Sequence, residues 1–331
     1  ATWADIAPRF DELADAPLSL DNVESWLQAW SDLHVAINEA VARAWVAYTV
    51  NTNDKVAEEA YNRLTGQVEP NVHEQTVRLA GRLLDLGYER DDLAVMLKTF
   101  RNQQEIFRSR NVAINQKLQP LNARYEKITG GMMATWDGER LPLAQLRPYL
   151  LDPDRSIRKK AFLKRMAPYI RSRSKLADIF DRQYALRQRM AKNAGFANYR
   201  DFAFREKNRF DYTPDDCLAF HDAVAETIVP VVTRLHARKA KELGVRSIRP
   251  WDTEADAQGR PGLRPYENTD QLIAGTARML GKVNPVFGDY LETMDREGLL
   301  DLESREGKAP GGYCTSFEFS GRPFIFMNAA N

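Results

Sequence analysis

Apolar side chains in the first third of the chain recur every three or four positions, and acidic or other polar side chains lie between them. This spacing places the apolar residues on one face of an α-helix. The longest such stretch begins near Leu20, passes through Trp26, Trp30 and Ile37, and ends near Tyr48, which predicts one helix of roughly 30 residues. Further helical patterns follow up to about residue 110, and their short connections favour antiparallel packing.

Helical patterns also dominate the middle of the chain, with one interruption. A small hairpin is predicted near 132–143, where short apolar stretches flank Asp137-Gly138. This dipeptide suits the positive φ angles of a type I′ turn. Helical patterns continue on both sides of the hairpin, and Thr213-Pro214 has the composition of a helix start.

The end of the chain changes to strand-like patterns. Large side chains alternate with smaller ones over 313–317, a turn follows, and the residues at 324–327 are all apolar. This predicts a β-hairpin at 313–328 whose second strand is buried on both faces. No element that could cover that strand follows before Asn331, so we expect the sequence to be incomplete at its C-terminal end. The predicted fold is mainly α, with antiparallel layers of helices, the small hairpin near 132–143 and the terminal β-hairpin.

The composition excludes several classes of protein. The 331 residues include 47 Lys and Arg against 46 Asp and Glu, so no net field draws the molecule to nucleic acid or to an anionic membrane. Two cysteines are too few for a disulfide framework, which predicts a cytoplasmic protein. No purely apolar run exceeds five residues, whereas a membrane-spanning helix needs about 20. We therefore predict no nucleic-acid partner and no membrane partner.

One segment departs from the even distribution of charge. Residues 155–175 carry nine basic side chains and no acidic one, a pattern that could follow a phosphate backbone. Only Phe162 and Tyr169 could stack on bases, and both fall at helical spacing with Ile157 and Met166. We interpret the segment as the solvated face of a helix, with nucleic-acid binding as an alternative that salt-dependent retention on a polyanion would reveal.

The sequence contains one partial metal-binding motif. His73-Glu74 begins the pattern His-Glu-x-x-His, in which two histidines hold zinc and the glutamate activates water. The fifth position is Val77, and none of the four histidines forms an i, i+4 pair with another. We therefore predict no catalytic residue and no metal ligand within this chain.

Several segments in the second half of the chain resemble one known family. They are Leu151–Ala161, Gly195–Asp201, Arg209–Pro214, Gly307–Cys314 and Pro323–Asn328. In order and spacing they are similar to the region just upstream of the zinc helix in the oligoendopeptidase F group of the thimet-oligopeptidase-like metallopeptidases. The resemblance extends over about Leu121–Asn331.

This resemblance implies a mostly helical shell around a deep channel, in which short peptides are hydrolysed. The family holds Zn²⁺ with His-Glu-x-x-His and a further glutamate; the metal polarises the scissile carbonyl, and the motif glutamate takes a proton from water. In that family the motif follows the strand that Pro323–Asn328 resembles. The resemblance therefore implies that the zinc ligands lie beyond Asn331, and that the 331-residue chain alone is inactive.

The same resemblance places the last strand along the substrate cleft. Pro323 lacks an N–H and suits the start of an edge strand, to which an extended peptide could add antiparallel. The alternative is a purely internal strand. The predicted substrate-binding residues are Gly311, Gly312, Tyr313, Phe324, Ile325, Phe326, Met327 and Asn328.

The sequence thus indicates the N-terminal part of a zinc-dependent oligoendopeptidase. Residues 1–190 would form an N-terminal helical domain, and residues 191–331 the first part of the catalytic domain. The expected partners are short peptide substrates and the protein's own C-terminal portion, which would carry the zinc helix. The alternative is a non-catalytic helical scaffold or peptide-binding module, and the coding sequence beyond Asn331 would separate the two.

Overall fold

The computed structural model describes residues 2–330 and is mainly helical, as predicted. Helix α2 covers the long amphipathic stretch in the first third, and α9 begins at the predicted Thr213-Pro214 start. No helix within the described residues is long and apolar enough to cross a membrane. The α-helices are α1 (Trp3–Asp15), α2 (Val23–Val50), α3 (Lys55–Arg63), α4 (Glu69–Asp85), α5 (Ala94–Ile106), α6 (Ser109–Gly130), α7 (Arg155–Asn193), α8 (Tyr199–Glu206), α9 (Pro214–Glu242), α10 (Thr269–Val283) and α11 (Pro285–Arg296).

The described residues form two compact units that alternate along the chain. The first contains the residues up to Tyr48, together with Asp54–Tyr125 and Leu176–Phe220. The second contains Thr49–Asn53, Glu126–Lys175 and the residues from His221 onward. The predicted domain division, into residues 1–190 and 191–331, stays a prediction. Ala1 and Asn331 lie outside the described residues.

The first unit is built from packed amphipathic helices. Phe10 of α1, Trp26 and Trp30 of α2, and Leu79 of α4 share one core. The Trp30 ring stacks on Phe100 of α5 with 5.1 Å between the ring centroids. Each helix contributes the face that its three- and four-residue spacing predicted, because burial of that face removes apolar area from water.

The second unit contains the predicted small hairpin, formed by β1 (Met133–Trp136) and β2 (Glu139–Pro142). Both turn residues, Asp137 and Gly138, have positive φ angles of 48° and 92°, as a type I′ turn requires. The hairpin packs with Leu146, Leu150 and Ala161 in a buried cluster. The turn residues therefore specified this hairpin locally.

A second sheet lies near the end of the chain, with the strand order β3-β5-β4. Its strands are β3 (Leu300–Glu303), β4 (Tyr313–Phe317) and β5 (Arg322–Ala329). The predicted hairpin at 313–328 is the antiparallel pair of β4 and β5. Strand β3, which the sequence did not predict, pairs with β5 in parallel.

This strand order corrects one prediction. Strand β5 is the central strand, so the prediction that Phe324–Asn328 forms an edge strand is wrong. The reason is that β3 bonds to one side of β5 and β4 to the other. Pro323 lies before the first residue of β5 that pairs with β3, Ile325, so its missing N–H costs no bond to that strand.

Candidate functional site

The predicted substrate-binding residues lie together in the second unit, around the end of β5. Phe324 and Phe326 are buried, with exposed fractions of 6% and 0%, whereas Met327 is exposed. The two buried rings form the core side of β5, whereas Ile325 on the other face is only half-buried, so the prediction that both faces of this strand are buried is wrong. The outer edges of this sheet belong to β3 and β4.

The main-chain directions on β5 follow from one hydrogen bond. The Ile325 N–H donates to the Leu299 carbonyl at 3.0 Å, on the β3 side. Successive residues of a strand direct their polar groups to opposite sides. Phe324 and Phe326 therefore direct theirs toward β4.

The same alternation determines which groups of β4 are directed away from β5. Thr315 pairs with Phe324 and Tyr313 with Phe326, so both β4 residues bond inward. Cys314 and Ser316 consequently direct their N–H and C=O groups to the outer edge of β4. Within residues 2–330, no strand pairs with that edge.

Tyr313 anchors the start of β4. Its ring stacks on Phe326 with 4.6 Å between the centroids and 5° between the planes. Its hydroxyl lies 2.6 Å from the Thr49 hydroxyl. Burial raises the pKa of Tyr313 to about 12, so the phenol remains neutral and positions the strand.

Lys308 has a fully buried side chain whose ammonium joins two strands. Its Nζ donates to Asp301 Oδ1 at 2.9 Å, to the Glu303 carbonyl at 2.7 Å and to the Met327 carbonyl at 2.5 Å. The Nζ atom also lies 4.4 Å from the centroid of the Phe326 ring. Burial lowers the pKa of Lys308, and the hydrogen bond to Asp301 opposes that shift. The ammonium therefore holds β3 and β5 at their present spacing.

Asp301 is the counter-ion in this arrangement. Two nitrogens of Arg305 each lie 2.7 Å from its carboxylate oxygens. Burial would raise the pKa of Asp301, but hydrogen bonds from Arg305 and Lys308 outweigh burial and hold it below its usual value. The sequence analysis missed this cluster, although a signal was present in the opposite charges at 301, 305 and 308.

The segment between β3 and β4 is fixed by main-chain bonds to residues 49–53. The N–H and the hydroxyl of Thr52 both donate to the Gly307 carbonyl at 2.7 Å, and the Ala309 N–H donates to the Thr49 carbonyl at 2.8 Å. Gly307 has a φ of 81°, and a Cβ there would lie 2.5 Å from Asn53 Nδ2. Only glycine fits this position without a shift of its neighbour.

Gly312, the residue just before β4, packs closely against β5. A Cβ on Gly312 would lie 3.2 Å from the Phe326 carbonyl oxygen. The amide of Asn328 donates to the Ala309 and Gly311 carbonyls at 2.9 and 2.8 Å. The close approach that Gly312 allows is therefore the approach of β5, and the Asn328 amide holds the loop.

A cleft of about 700 Å³ opens beside this loop. Four of the predicted residues line it, namely Gly311, Gly312, Met327 and Asn328. Three arginines contribute from neighbouring elements of the second unit: Arg147, Arg165 and Arg264. The cleft also includes the acidic side chains of Asp152 and Glu254. The start of β4 and the end of β5 thus border a space with both apolar and charged walls.

The described residues do not fit a zinc ion. Among residues 2–330, no group of three or more His, Cys, Asp or Glu side chains is arranged to hold a metal. His73 lies on α4 with its ring 5.6 Å from that of Phe107, and burial lowers the pKa of His73. A catalytic zinc site needs about three protein ligands, so we assign no reaction step to a metal held by these residues.

Comparison with known structures gives close matches to the whole fold at low sequence identity. The structure of Pz peptidase A with inhibitor 2 superposes with a TM-score of 0.92 at 23% identity, covering 99% of this chain and 59% of that one. A structure assigned as oligoendopeptidase F from Bacillus anthracis str. Ames has a TM-score of 0.92 at 21% identity, covering 99% and 61%. Oligoendopeptidase F from Enterococcus faecium has a TM-score of 0.60 at 13% identity, covering 90% and 66%. The chain therefore spans about three-fifths of the length of the first two.

Sequence comparison identifies the family. A search of curated proteins found no match. The family model of peptidase family M3 matches residues 149–331, which is more than half of the chain. This range contains every segment on which the resemblance was based, so that resemblance is confirmed. The chain belongs to peptidase family M3.

Proposed function

We propose that this chain provides the peptide-binding edge of a zinc-dependent oligopeptidase that hydrolyses short peptides in a deep channel. The observation that carries the proposal is the outer edge of β4, with which no strand among residues 2–330 pairs, in a chain that belongs to a peptidase family. The N–H and C=O groups of Cys314 and Ser316 would bond an extended peptide antiparallel to β4. Such main-chain bonds suit an enzyme that accepts many sequences, because they do not depend on the substrate's side chains.

The sequence analysis predicted that a peptide adds to β5 as an edge strand. We now propose β4 for that role. Cys314 and Ser316 are exposed, so a peptide can approach without displacing a side chain from the core. The inner contacts of β4, from Tyr313 and Phe317, keep the strand in place when its outer edge is occupied. We propose a cytoplasmic location, supported by the free thiols of Cys217 and Cys314.

The zinc ligands would come from a portion of the protein outside this sequence, and the 331-residue chain alone would hydrolyse no peptide. When bound, zinc polarises a carbonyl and acidifies water. This part of the proposal rests on family membership and on the length of the structural neighbours, about two-fifths of which this chain does not match. Activity of the purified chain after removal of contaminating proteases would contradict it.

A face of α9 is suited to contact that zinc-carrying portion. Ile228, Val229, Val232 and Leu235 are each between 40% and 53% exposed, and the nearby loop residue Leu263 is 92% exposed. A groove of about 760 Å³ lies between this part of α9 and residues 253–263. Large apolar surfaces of this kind mark sites of protein contact. We propose that the zinc-carrying portion contacts this face of α9 and the groove beside it.

Peptide binding at β4 can be tested through Ser316. Its N–H is directed outward, so Ser316→Pro removes one donor to the peptide and no bond to β5. We expect the dissociation constant of a fluorescent peptide to rise about fivefold, the effect of one lost hydrogen bond, with little change in melting temperature. N-methylation of those peptide amides that are directed toward β4, which are every second amide, should raise the dissociation constant by the same factor.

The matched controls use the intervening amides of the peptide and the second cysteine of the chain. N-methylation of the intervening peptide amides should leave affinity unchanged, because these amides are directed away from β4. Bound peptide should also slow alkylation of Cys314 and leave the rate at Cys217 unchanged. An even loss of affinity over all amides, or equal protection of both thiols, would exclude β4 as the binding edge.

A further inference from the structure

Two arginines in the cleft beside β4 have no partner within the described residues. Arg165 of α7 is half-buried and Arg264 is exposed, and neither takes part in an ion pair, a hydrogen bond or a ring contact. The third arginine of the cleft, Arg147, pairs with Glu254 at 3.6 Å. With Asp152 as the other acidic residue, the lining carries a net charge of +1.

Two other arginines of the same helix bind a carboxylate of the protein itself. Arg155 and Arg158 of α7 both bond to the buried carboxylate of Asp252, at distances of 2.9 to 3.1 Å. A guanidinium has five N–H donors in a planar fork that matches a carboxylate. Arg165, about two to three turns further along, keeps all of its donors available to the cleft. Such a group is suited to bind an anion that enters from solvent.

The direction of β4 indicates which end of a peptide reaches these arginines. The strand runs from Tyr313 to Phe317, and Gly311 and Gly312, which line the cleft, precede it. A peptide antiparallel to β4 therefore runs from the Phe317 end toward Gly312. The C-terminal end of such a peptide would therefore lie on the cleft side of β4, and its N-terminal end on the far side.

Resting on the proposed function, we propose that Arg165 and Arg264 bind the C-terminal carboxylate of the peptide that adds to β4. The preferred substrates are then short peptides with a free C-terminus that ends in this cleft. Paired N–H···O bonds from a guanidinium to a carboxylate are among the strongest hydrogen bonds in proteins, and they also restrict the ligand's orientation. The two arginines would thereby fix the register of the peptide along β4.

The test uses the 331-residue chain and N-terminally labelled peptides of one sequence, measured by fluorescence anisotropy. We expect the free acid to bind about tenfold more tightly than the C-terminal amide, the effect of losing hydrogen bonds to a charged group. Arg165→Gln and Arg264→Gln should each bring the two affinities closer together. Arg171→Gln is the matched control, because Arg171 is an exposed residue of α7 that does not line the cleft.

A third peptide separates the two possible sources of the carboxylate. It ends in an amidated glutamate, so only its side chain carries the charge. Weak binding of this peptide supports recognition of the main-chain carboxylate, whereas binding equal to that of the free acid overturns it. Equal affinities for the free acid and the plain amide overturn the inference and leave peptide binding at β4 intact. Failure of every peptide to bind overturns both.

Discussion

Lys308 and Asp301 form a buried ion pair, with 2.9 Å between the ammonium nitrogen and the nearer carboxylate oxygen. The lysine side chain is fully buried, and its remaining hydrogen bonds go to main-chain carbonyls near the ends of β3 and β5. The pair therefore holds β3 beside β5. Because β3 occupies one side of β5 and β4 the other, β5 has no free edge, and the outer edge of the hairpin belongs to β4.

Lys308→Met tests the contribution of this pair to stability. The substitution leaves three main-chain carbonyls without their donor and a buried carboxylate with Arg305 alone, so we expect a loss of about 3 kcal/mol in the free energy of unfolding. Urea denaturation followed by circular dichroism measures it. Lys160→Met is the control, since Lys160 pairs with Asp137 at the surface and should cost less than about 1 kcal/mol. Equal losses for the two variants would contradict the buried role.

Glu126 provides a test by pH. Its Oε2 atom is buried without a hydrogen-bond partner in the described part of the chain, and burial raises the pKa of Glu126. A carboxyl whose folded pKa is raised stabilises the fold below its unfolded pKa, and that contribution is lost as pH rises through the folded pKa. Glu126→Gln should therefore melt at a higher temperature than the parent at pH 7 and at a similar temperature near pH 4.

The control for this experiment is Glu59→Gln, which alters an exposed carboxylate of α3. Its effect on the melting temperature should be small at both pH values. If the difference between the Glu126→Gln variant and the parent were the same at pH 4 and pH 7, the titration of Glu126 would not be linked to folding.

Gly307→Ala tests the segment that leads into β4. The positive φ and the close approach of Asn53 disfavour any Cβ, so we expect a loss of at least about 1 kcal/mol and weaker peptide binding. Gly281→Ala is a matched control within α10, where a Cβ has open space. That substitution should stabilise the protein by roughly 0.5–1 kcal/mol, because alanine is the better helix former. A lower melting temperature for Gly307→Ala and a higher one for Gly281→Ala would confirm both expectations.

The exposed apolar face of α9 beside the groove can be tested with a hydrophobic dye. We expect the purified chain to bind anilinonaphthalene sulfonate, and Val232→Asp with Leu235→Asp to remove most of the fluorescence gain. Val95→Asp on α5 changes an exposed valine outside the groove, and should leave the gain unchanged. A uniform response in all variants would mean that the dye binds elsewhere.

The sequence by itself determined the elements that depend on neighbouring residues. The spacing of apolar residues predicted α2, the Asp137-Gly138 dipeptide predicted the small hairpin, and the alternation after Tyr313 predicted the pairing of β4 with β5. The family was also evident, because its motifs are short segments in a fixed order. Each of these signals comes from residues close together in the chain, where local geometry decides the outcome.

Only the tertiary structure decided which strand is the edge. Strand β3 is four residues long and alternates leucine with acidic residues. It pairs with β5 in parallel, and no pattern in the neighbouring sequence predicts this pairing. The hydrogen bond from Thr52 to Gly307 joins residues 255 positions apart. The ion pair of Lys308 and Asp301 is buried, although charged residues at such spacing are expected to be exposed to solvent. These contacts form when the chain folds and distant main-chain groups satisfy one another's hydrogen bonds. That is why the sequence predicted the hairpin of β4 and β5 but assigned the edge to β5 instead of β4.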